Sequence, residues 1–310
     1  MSETIKPGEI RAERLTPKEL GVRLFKQPPA SFDPITADPR ELLTYGYPAR
    51  PDARTHPELR AQWERRVSHN YTRIQPEFVR NVGKVHGPAR RANGAANATS
   101  TNWSGSVVFA PGGTTCGWIQ GEWTVPDPSD PSGGQSSYYS SAWVGIDGDG
   151  SGDVLQAGTE SSLVGGSRSV YAWWEWYPDY EVAISNFPVR SGDTIYCLIC
   201  ATSTTTASIY LTNDNTDQHV SFNITAPSGT TLAGNCAEWI VETPSVGGQP
   251  TTLPDYGVVY FDDALAGLKN GGSLDGFSGT PITLVNGANT PLSVPTLEKA
   301  QLVKLTYRDV

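Results

Sequence analysis

A chain of 310 residues is long enough for one large domain or two ordinary ones, and its net charge of −9 hides a sharp division. Residues 1–100 hold 17 Lys and Arg against 11 Asp and Glu, whereas residues 101–310 hold 6 against 21. The acidity of the second part argues against nucleic acid as a partner, and the lack of any run of 18 apolar residues excludes a membrane-spanning helix.

The N-terminus, Met1-Ser-Glu-Thr-Ile-Lys-Pro7, has neither the basic stretch nor the apolar stretch of a secretory signal. Thr16-Pro-Lys-Glu19 and Thr55-His-Pro-Glu58 both have the pattern of a capping box, in which a Thr side chain and a Glu three residues on satisfy each other's free backbone N–H. The second leads into Pro57 to Tyr71, where Leu59, Trp63 and Val67 recur at spacings of four, a helical period. Between the two boxes, Gln27 to Asp52 is rich in Pro and Asp and reads as irregular. Residues 87–100, beginning Gly87-Pro-Ala-Arg-Arg91, are small and polar with a dibasic pair, the composition of a flexible processing linker. Residues 1–86 are therefore expected to be a basic, partly helical propeptide ahead of an acidic domain at 101–310. An interaction module that stays attached is the other reading.

From Thr101 onward, strand-like runs alternate with Gly, Pro and Asp turns: Trp103–Phe109, Trp118–Val125, Ser140–Ile146, Val154–Ala157, Val170–Tyr177, Thr194–Ala201, Ala207–Thr212, His219–Ile224, Ala237–Val241, Gly257–Phe261 and Gln301–Tyr307. So many short strands with no long helix among them predict an all-β fold, a large two-sheet antiparallel β-sandwich with a curved substrate cleft. Cys116, Cys197, Cys200 and Cys236 allow three pairings, and buried thiols remain an open alternative. Cys197 and Cys200 point to opposite faces of one strand, and His219 is the single histidine of the domain, so no metal site is expected. Asp147-Gly-Asp-Gly-Ser-Gly152 lacks the Glu that a calcium loop needs.

Two segments carry chemistry. In Tyr171-Ala-Trp-Trp-Glu-Trp-Tyr-Pro178 side chains alternate, so Trp173, Glu175 and Tyr177 share one face while Trp174 and Trp176 share the other. In Ala237-Glu-Trp-Ile-Val-Glu242, Glu238, Ile240 and Glu242 share a face opposite Trp239 and Val241. Aromatic residues on both faces of the first segment predict that its polar face is a walled cleft, with Trp174 and Trp176 in the core. Carboxylates beside large apolar rings are costly unless paired or used. On chemistry alone they suit an acid protease, or a glycoside hydrolase or sugar-binding sandwich working through Glu175, Glu238 and the cleft tryptophans. A Ser-His-Asp or Cys-His hydrolase would have to use His219, and the chain has no Gly-x-Ser-x-Gly elbow.

Asn102-Trp-Ser-Gly105, Trp143-Val-Gly-Ile-Asp-Gly148, Leu155-Gln-Ala-Gly158, Ala172-Trp-Trp-Glu-Trp-Tyr-Pro178 and Ala237-Glu-Trp-Ile-Val-Glu242 occur in that order. Together they resemble the glutamic peptidases (eqolisins), over roughly residues 100–310. The resemblance implies an acid endopeptidase made as a precursor, with Gln156 and Glu238 as the catalytic pair and no cofactor. It implies a cleft lined by Trp103, Trp143, Asp147, Trp173, Glu175 and Tyr177, with Glu242 in support. Protein or peptide substrates, the chain's own N-terminal segment as inhibitor, a monomeric state and an extracellular location are expected with it. Tyr171 stands where relatives are often acidic and Glu160 where they often carry Asp, and Asp149-Gly-Ser-Gly-Asp153 replaces a cysteine-containing turn.

Overall fold

The structure, a computed structural model, describes residues 6, 8–92, 98–131 and 134–309. A first sheet is built from β1 (Arg11–Leu15), β2 (Phe78–Val82), β3 (Trp103–Phe109), β4 (Ser141–Ile146), β5 (Val154–Val164), β6 (Ser167–Tyr177), β7 (Val182–Ile184), β8 (Cys236–Glu242) and β9 (Thr280–Val285). Its order is β1-β2-β7-β6-β5-β4-β8-β3-β9, antiparallel at every pairing. The second sheet runs through Gln218–Thr225, Thr206–Asn213, Thr194–Ala201, Cys116–Thr124, Val258–Leu268, Leu302–Tyr307 and Pro291–Lys299. Pro291–Lys299 pairs with β9, so β9 joins the two sheets. No helix among the described residues is long and apolar enough to cross a membrane.

The expected sandwich is present, and alternation along its strands explains the core. Trp174, Trp176, Trp239, Val144, Leu155 and Ala157 point from the first sheet toward Trp123, Ile119 and Ile195 of the second. The other face of the same strands gathers Trp103, Trp143, Trp173 and Ile240 into a separate buried cluster. Each such ring removes roughly 150–250 Å² from water, about 4–6 kcal/mol at about 25 cal/mol/Å². Strands with tryptophan on both sides therefore hold their place only if both faces are covered. Cys197 lies between the sheets and Cys200 on the outer face, as the strand period requires, and all four cysteines are free thiols.

The cover over the second cluster comes from the N-terminal segment, which is woven into both sheets. The β2 strand extends the first sheet beyond β7, and Arg23–Leu24 and Thr72–Arg73 pair with Gln218–Thr225 of the second. Helix α1 (Pro39–Tyr45) lies in the stretch read as irregular. Asp38 and Glu41 form a reciprocal capping box around Pro39, a start signal that outweighs the local Pro and Asp content. Helix α2 (Pro57–Ser68) matches the four-residue spacing but stops before Tyr71, because His69 turns extended and Thr72 enters a strand. His56, not Thr55, is its N-cap. Thr16 and Glu19 make their reciprocal bonds around a turn and not a helix.

Five strands with weaker sequence signals, β1, β2, β7, β9 and Pro291–Lys299, complete the sheets. In the expected linker, residues 93–97 lie outside the described residues. The rest is bonded: the Ala89 N–H donates to the Gly148 carbonyl, and Arg91 bridges to Ser100.

Candidate active site

Strand register sets the site as rows across the face of the first sheet that carries Trp103, Trp143 and Trp173. Glu175, Gln156, Gly145 and Glu238 are successive partners on β6, β5, β4 and β8. Trp173, Gly158, Trp143 and Ile240 form the next row, and Tyr171, Glu160, Ser141, Glu242 and Trp103 the one after. Gln156 and Glu238 thus flank Gly145, with Cα atoms two strand spacings, about 10 Å, apart. A Cβ at Gly145 would come within 2.7 Å of the Trp143 ring and 2.8 Å of Glu238 Oε1, so glycine keeps the gap between the two side chains open. At Gly158 a Cβ would collide with the Ala142 carbonyl and with Cα and Cβ of Trp143, so only glycine allows the two strands to approach so closely there.

The N-terminal segment lies on this face of the sheet, against Glu175 and Gln156. Lys84 and His86 are 1% and 0% exposed. The Lys84 ammonium lies 2.8 Å from Glu160, 3.0 Å from Glu181 and 3.0 Å from the Tyr171 hydroxyl. The His86 ring stacks on Trp173 at 3.8 Å and 8°, with Nε2 2.8 Å from Glu181 and Nδ1 3.4 Å from Glu242. The second contact is too poorly aligned for a hydrogen bond but close enough for charge attraction. The His86 backbone N–H donates to both Glu175 oxygens at 3.0 Å, and Gln156 Nε2 donates to the His86 carbonyl at 2.5 Å. One residue on, the Gly87 carbonyl accepts from Trp103 Nε1 at 3.1 Å and from Asn102 at 3.3 Å, while the ring of Tyr177 faces Gly87.

Charge in the cleft follows from this packing. Burial pushes His86 down, but Glu181 and Glu242 overcome it and raise the ring to about 10, so it is an imidazolium at neutral pH. Burial likewise pushes Glu181 up, and Lys84 and His86 more than offset that, holding it at about 2. Glu160 is raised by burial against the pull of Lys84, and Glu175 and Glu242 by burial against the pull of His86. Glu238 is raised well above the ordinary carboxylate range, by burial first and then by Asp147 and Asp149. Neither of its oxygens meets a hydrogen-bonding partner among the described residues, the Cys236 thiol being the nearest weak donor. Gln156 Oε1 is also unpartnered.

Eight of the nine residues singled out from sequence come together here: Gln156, Glu238, Trp103, Trp143, Trp173, Glu175, Tyr177 and Glu242. Trp143 Nε1 donates to Glu242 at 3.0 Å and its ring meets Trp103 edge-on at 5.0 Å. Asp147 does not reach the cleft occupant. Its carboxylate accepts the backbone N–H groups of Ala233, Gly234 and Asn235, so it ties down the loop before β8. Sequence reasoning missed Lys84, His86 and Glu181 and treated Glu160 and Tyr171 only as departures. His86, Glu160 and Glu181 are close enough to share a metal ion, but the Lys84 ammonium already supplies the positive charge between the two carboxylates.

Comparison with known proteins agrees with this geometry. Residues 101–307 match the model of the peptidase A4 family. Aspergillopepsin-2 of Aspergillus niger is 35% identical over 70% of this chain and 81% of its own length, and scytalidopepsin B of Scytalidium lignicola is 33% identical over 53% and 60%. Among solved structures, scytalido-glutamic peptidase with a transition-state analog inhibitor superposes with a TM-score of 0.57 at 26% identity, covering 67% of this chain and 98% of that one. Aspergilloglutamic peptidase from A. niger gives 0.52 at 32%, covering 55% and 99%. A sugar-cleaving reading finds no support in these matches. With a matched segment that spans every strand of the first sheet from β3 onward and the second sheet that faces it, the chain belongs to the peptidase A4 (eqolisin) family of glutamic acid proteases.

Proposed function

We propose that the chain is a precursor whose Gln156 and Glu238 hydrolyse peptide bonds in acid, and whose residues 1–86 keep it latent by filling the cleft. Ionised Glu238 takes a proton from water as the oxygen attacks the carbonyl, then returns it to the leaving nitrogen. Gln156 cannot change charge, but its Nε2–H donates to the oxygen that becomes negative in the tetrahedral intermediate. The observation that carries this reading is that Gln156 already donates to a peptide carbonyl, that of His86, beside a carboxyl with no committed partner.

Latency rests on the same contacts. While the segment fills the cleft, burial favours the protonated form of Glu238 over the ionised base that the reaction needs. Ion pairs between the basic segment and the acidic domain support the hold. Arg66 pairs with Glu122, Asp214 and Asp263, and Arg91 with Asp149, in addition to Lys84 with Glu160 and Glu181. Acid weakens this hold where it protonates Glu181, whose carboxylate Lys84 and His86 keep ionised against its burial. Incubation of the full chain with an unfolded protein at about pH 4, near the free Glu pKa, should give new peptide ends. The Glu238→Gln variant should give none, and cleavage that persists in it would move the active site elsewhere.

A further inference from the structure

The path of residues 84–89 over the sheet has a direction. His86 N–H bonds to Glu175 on β6, His86 C=O to Gln156 on β5, and Gly87 C=O to Trp103 on β3. The intervening strands are β4, with Gly145 at the matching position, and β8, with Glu238. The chain therefore leads from Glu175 toward Trp103, with the His86 carbonyl held by Gln156, and Glu238 stands in the same row across Gly145 from that glutamine. The His86 carbonyl oxygen takes the hydrogen bond an oxyanion donor would give. Upstream, Lys84 is clamped by Glu160, Glu181 and Tyr171, and the imidazole of His86 is stacked on Trp173. Downstream, Ala89 N–H bonds to the Gly148 carbonyl and Arg90 N–H to Asn102. Backbone groups are bonded on both sides of this one peptide unit, as in a substrate held in register.

We propose that the His86–Gly87 bond is the first bond this chain cuts in itself, an inference that rests on the proposed roles of Gln156 and Glu238. The step is an ordinary hydrolysis with water as co-reactant. Glu238 accepts a proton from water as the water oxygen bonds to the His86 carbonyl carbon, and Gln156 holds the resulting oxyanion. The C–N bond then breaks, Glu238 returns its proton to the Gly87 nitrogen, and the products are a carboxylic acid at His86, which keeps the second water proton, and an amine at Gly87. The bond persists in the closed form because burial favours the protonated form of Glu238. Loosening of the segment in acid relieves that burial. This places the first cut upstream of the dibasic linker, between the Lys84 anchor and Gly87.

The full-length chain should be acidified to about pH 4 with an unfolded protein in the same tube, and all new termini read by mass spectrometry over time. A fragment ending at His86 and one beginning at Gly87 should appear before any other self-cut. The rate should be unchanged by dilution, and no cut should occur in Glu238→Gln. Gly87→Pro, which makes the bond a tertiary amide, should slow the first self-cut at least tenfold. Glu238-dependent cleavage of the added protein with a first self-cut elsewhere, for example between Arg90 and Ser100, would overturn this inference and leave the Gln156–Glu238 reading standing. Gly87→Pro maturing at the wild-type rate would do the same. No cleavage of either protein would overturn both.

Discussion

Lys84 offers the sharpest perturbation of the closed form. Its ammonium is 1% exposed and lies within 3.0 Å of two carboxylates and one phenol. Lys84→Met keeps the apolar stem and removes the charge, leaving Glu160 and Glu181 buried without their shared partner. Removing one member of a buried ionic cluster costs about 3–5 kcal/mol. The lower end applies, because burial already favours a proton on Glu160 and His86 still pairs with Glu181. At about 1.4 kcal/mol per tenfold, opening of the segment should become about 100-fold more frequent. Hydrogen exchange on the full chain at neutral pH reads this at two amides, His86 N–H on Glu175 and Ala89 N–H on Gly148. Both should lose protection by about that factor. Arg14→Met, at an exposed pair 3.9 Å apart, should change nothing. A loss of less than threefold in Lys84→Met would refute the idea that the ion cluster holds the segment.

The closed form should be most protected over a limited pH range. Glu181 is depressed to about 2, so its contribution is present above its usual 4.5 and lost as pH falls toward 2. His86 is raised to about 10, so its contribution is complete below its usual 6.5 and lost as pH rises through 10. Glu160, Glu175, Glu238 and Glu242, all raised, act in the opposite sense to Glu181 and favour closure as pH falls. Exchange protection of residues 84–89 should therefore peak between 4.5 and 6.5, and Glu181→Gln should flatten the acid limb; a flat profile in wild type would contradict this. Gly145→Ala should cost about 1–3 kcal/mol in denaturant titration and displace Glu238 from the gap, and unchanged stability and activity would count against the close approach. Asp147→Ala strands three backbone N–H groups, each worth about 1 kcal/mol or more. It should lower the melting temperature by several degrees, and no shift would mean that the loop before β8 holds without it. Thiol titration of the unfolded, unreduced chain should find four free cysteines, and a count of two or none would show disulfides.

Much of the sandwich was legible because strands carry their own period. Trp173, Glu175 and Tyr177 alternating with Trp174 and Trp176 gave the two faces of β6 correctly, and the same rule aligned Glu238 with Glu242 on β8. What alternation cannot give is which strands are neighbours. That Gly145 lies between Gln156 and Glu238 is a fact of register, visible only once β4 is seated between β5 and β8. Asp147 is expected in the cleft on the strength of resemblance; its carboxylate accepts three backbone N–H groups of the loop before β8 and lies near enough to Glu238 to raise it. Lys84 and His86 were hidden for a different reason. Their partners Glu160, Glu175, Glu181 and Glu242 lie 76 to 156 residues away in sequence, and a two-residue strand leaves no period to detect. The charge division between residues 1–100 and 101–310 was the one trace of that contact, and it named neither residue.

The central claim is that Glu238 and Gln156 act together on one peptide carbonyl, and the rate of peptide hydrolysis in Gln156→Ala tests it most directly. With Glu238 intact, loss of one donor to the oxyanion should lower kcat by about 10²–10³ and leave KM for an unfolded protein substrate within a few-fold of wild type. A kcat within threefold of wild type would contradict the account, because the His86 carbonyl would then mark only a resting contact and not the place where the oxyanion forms.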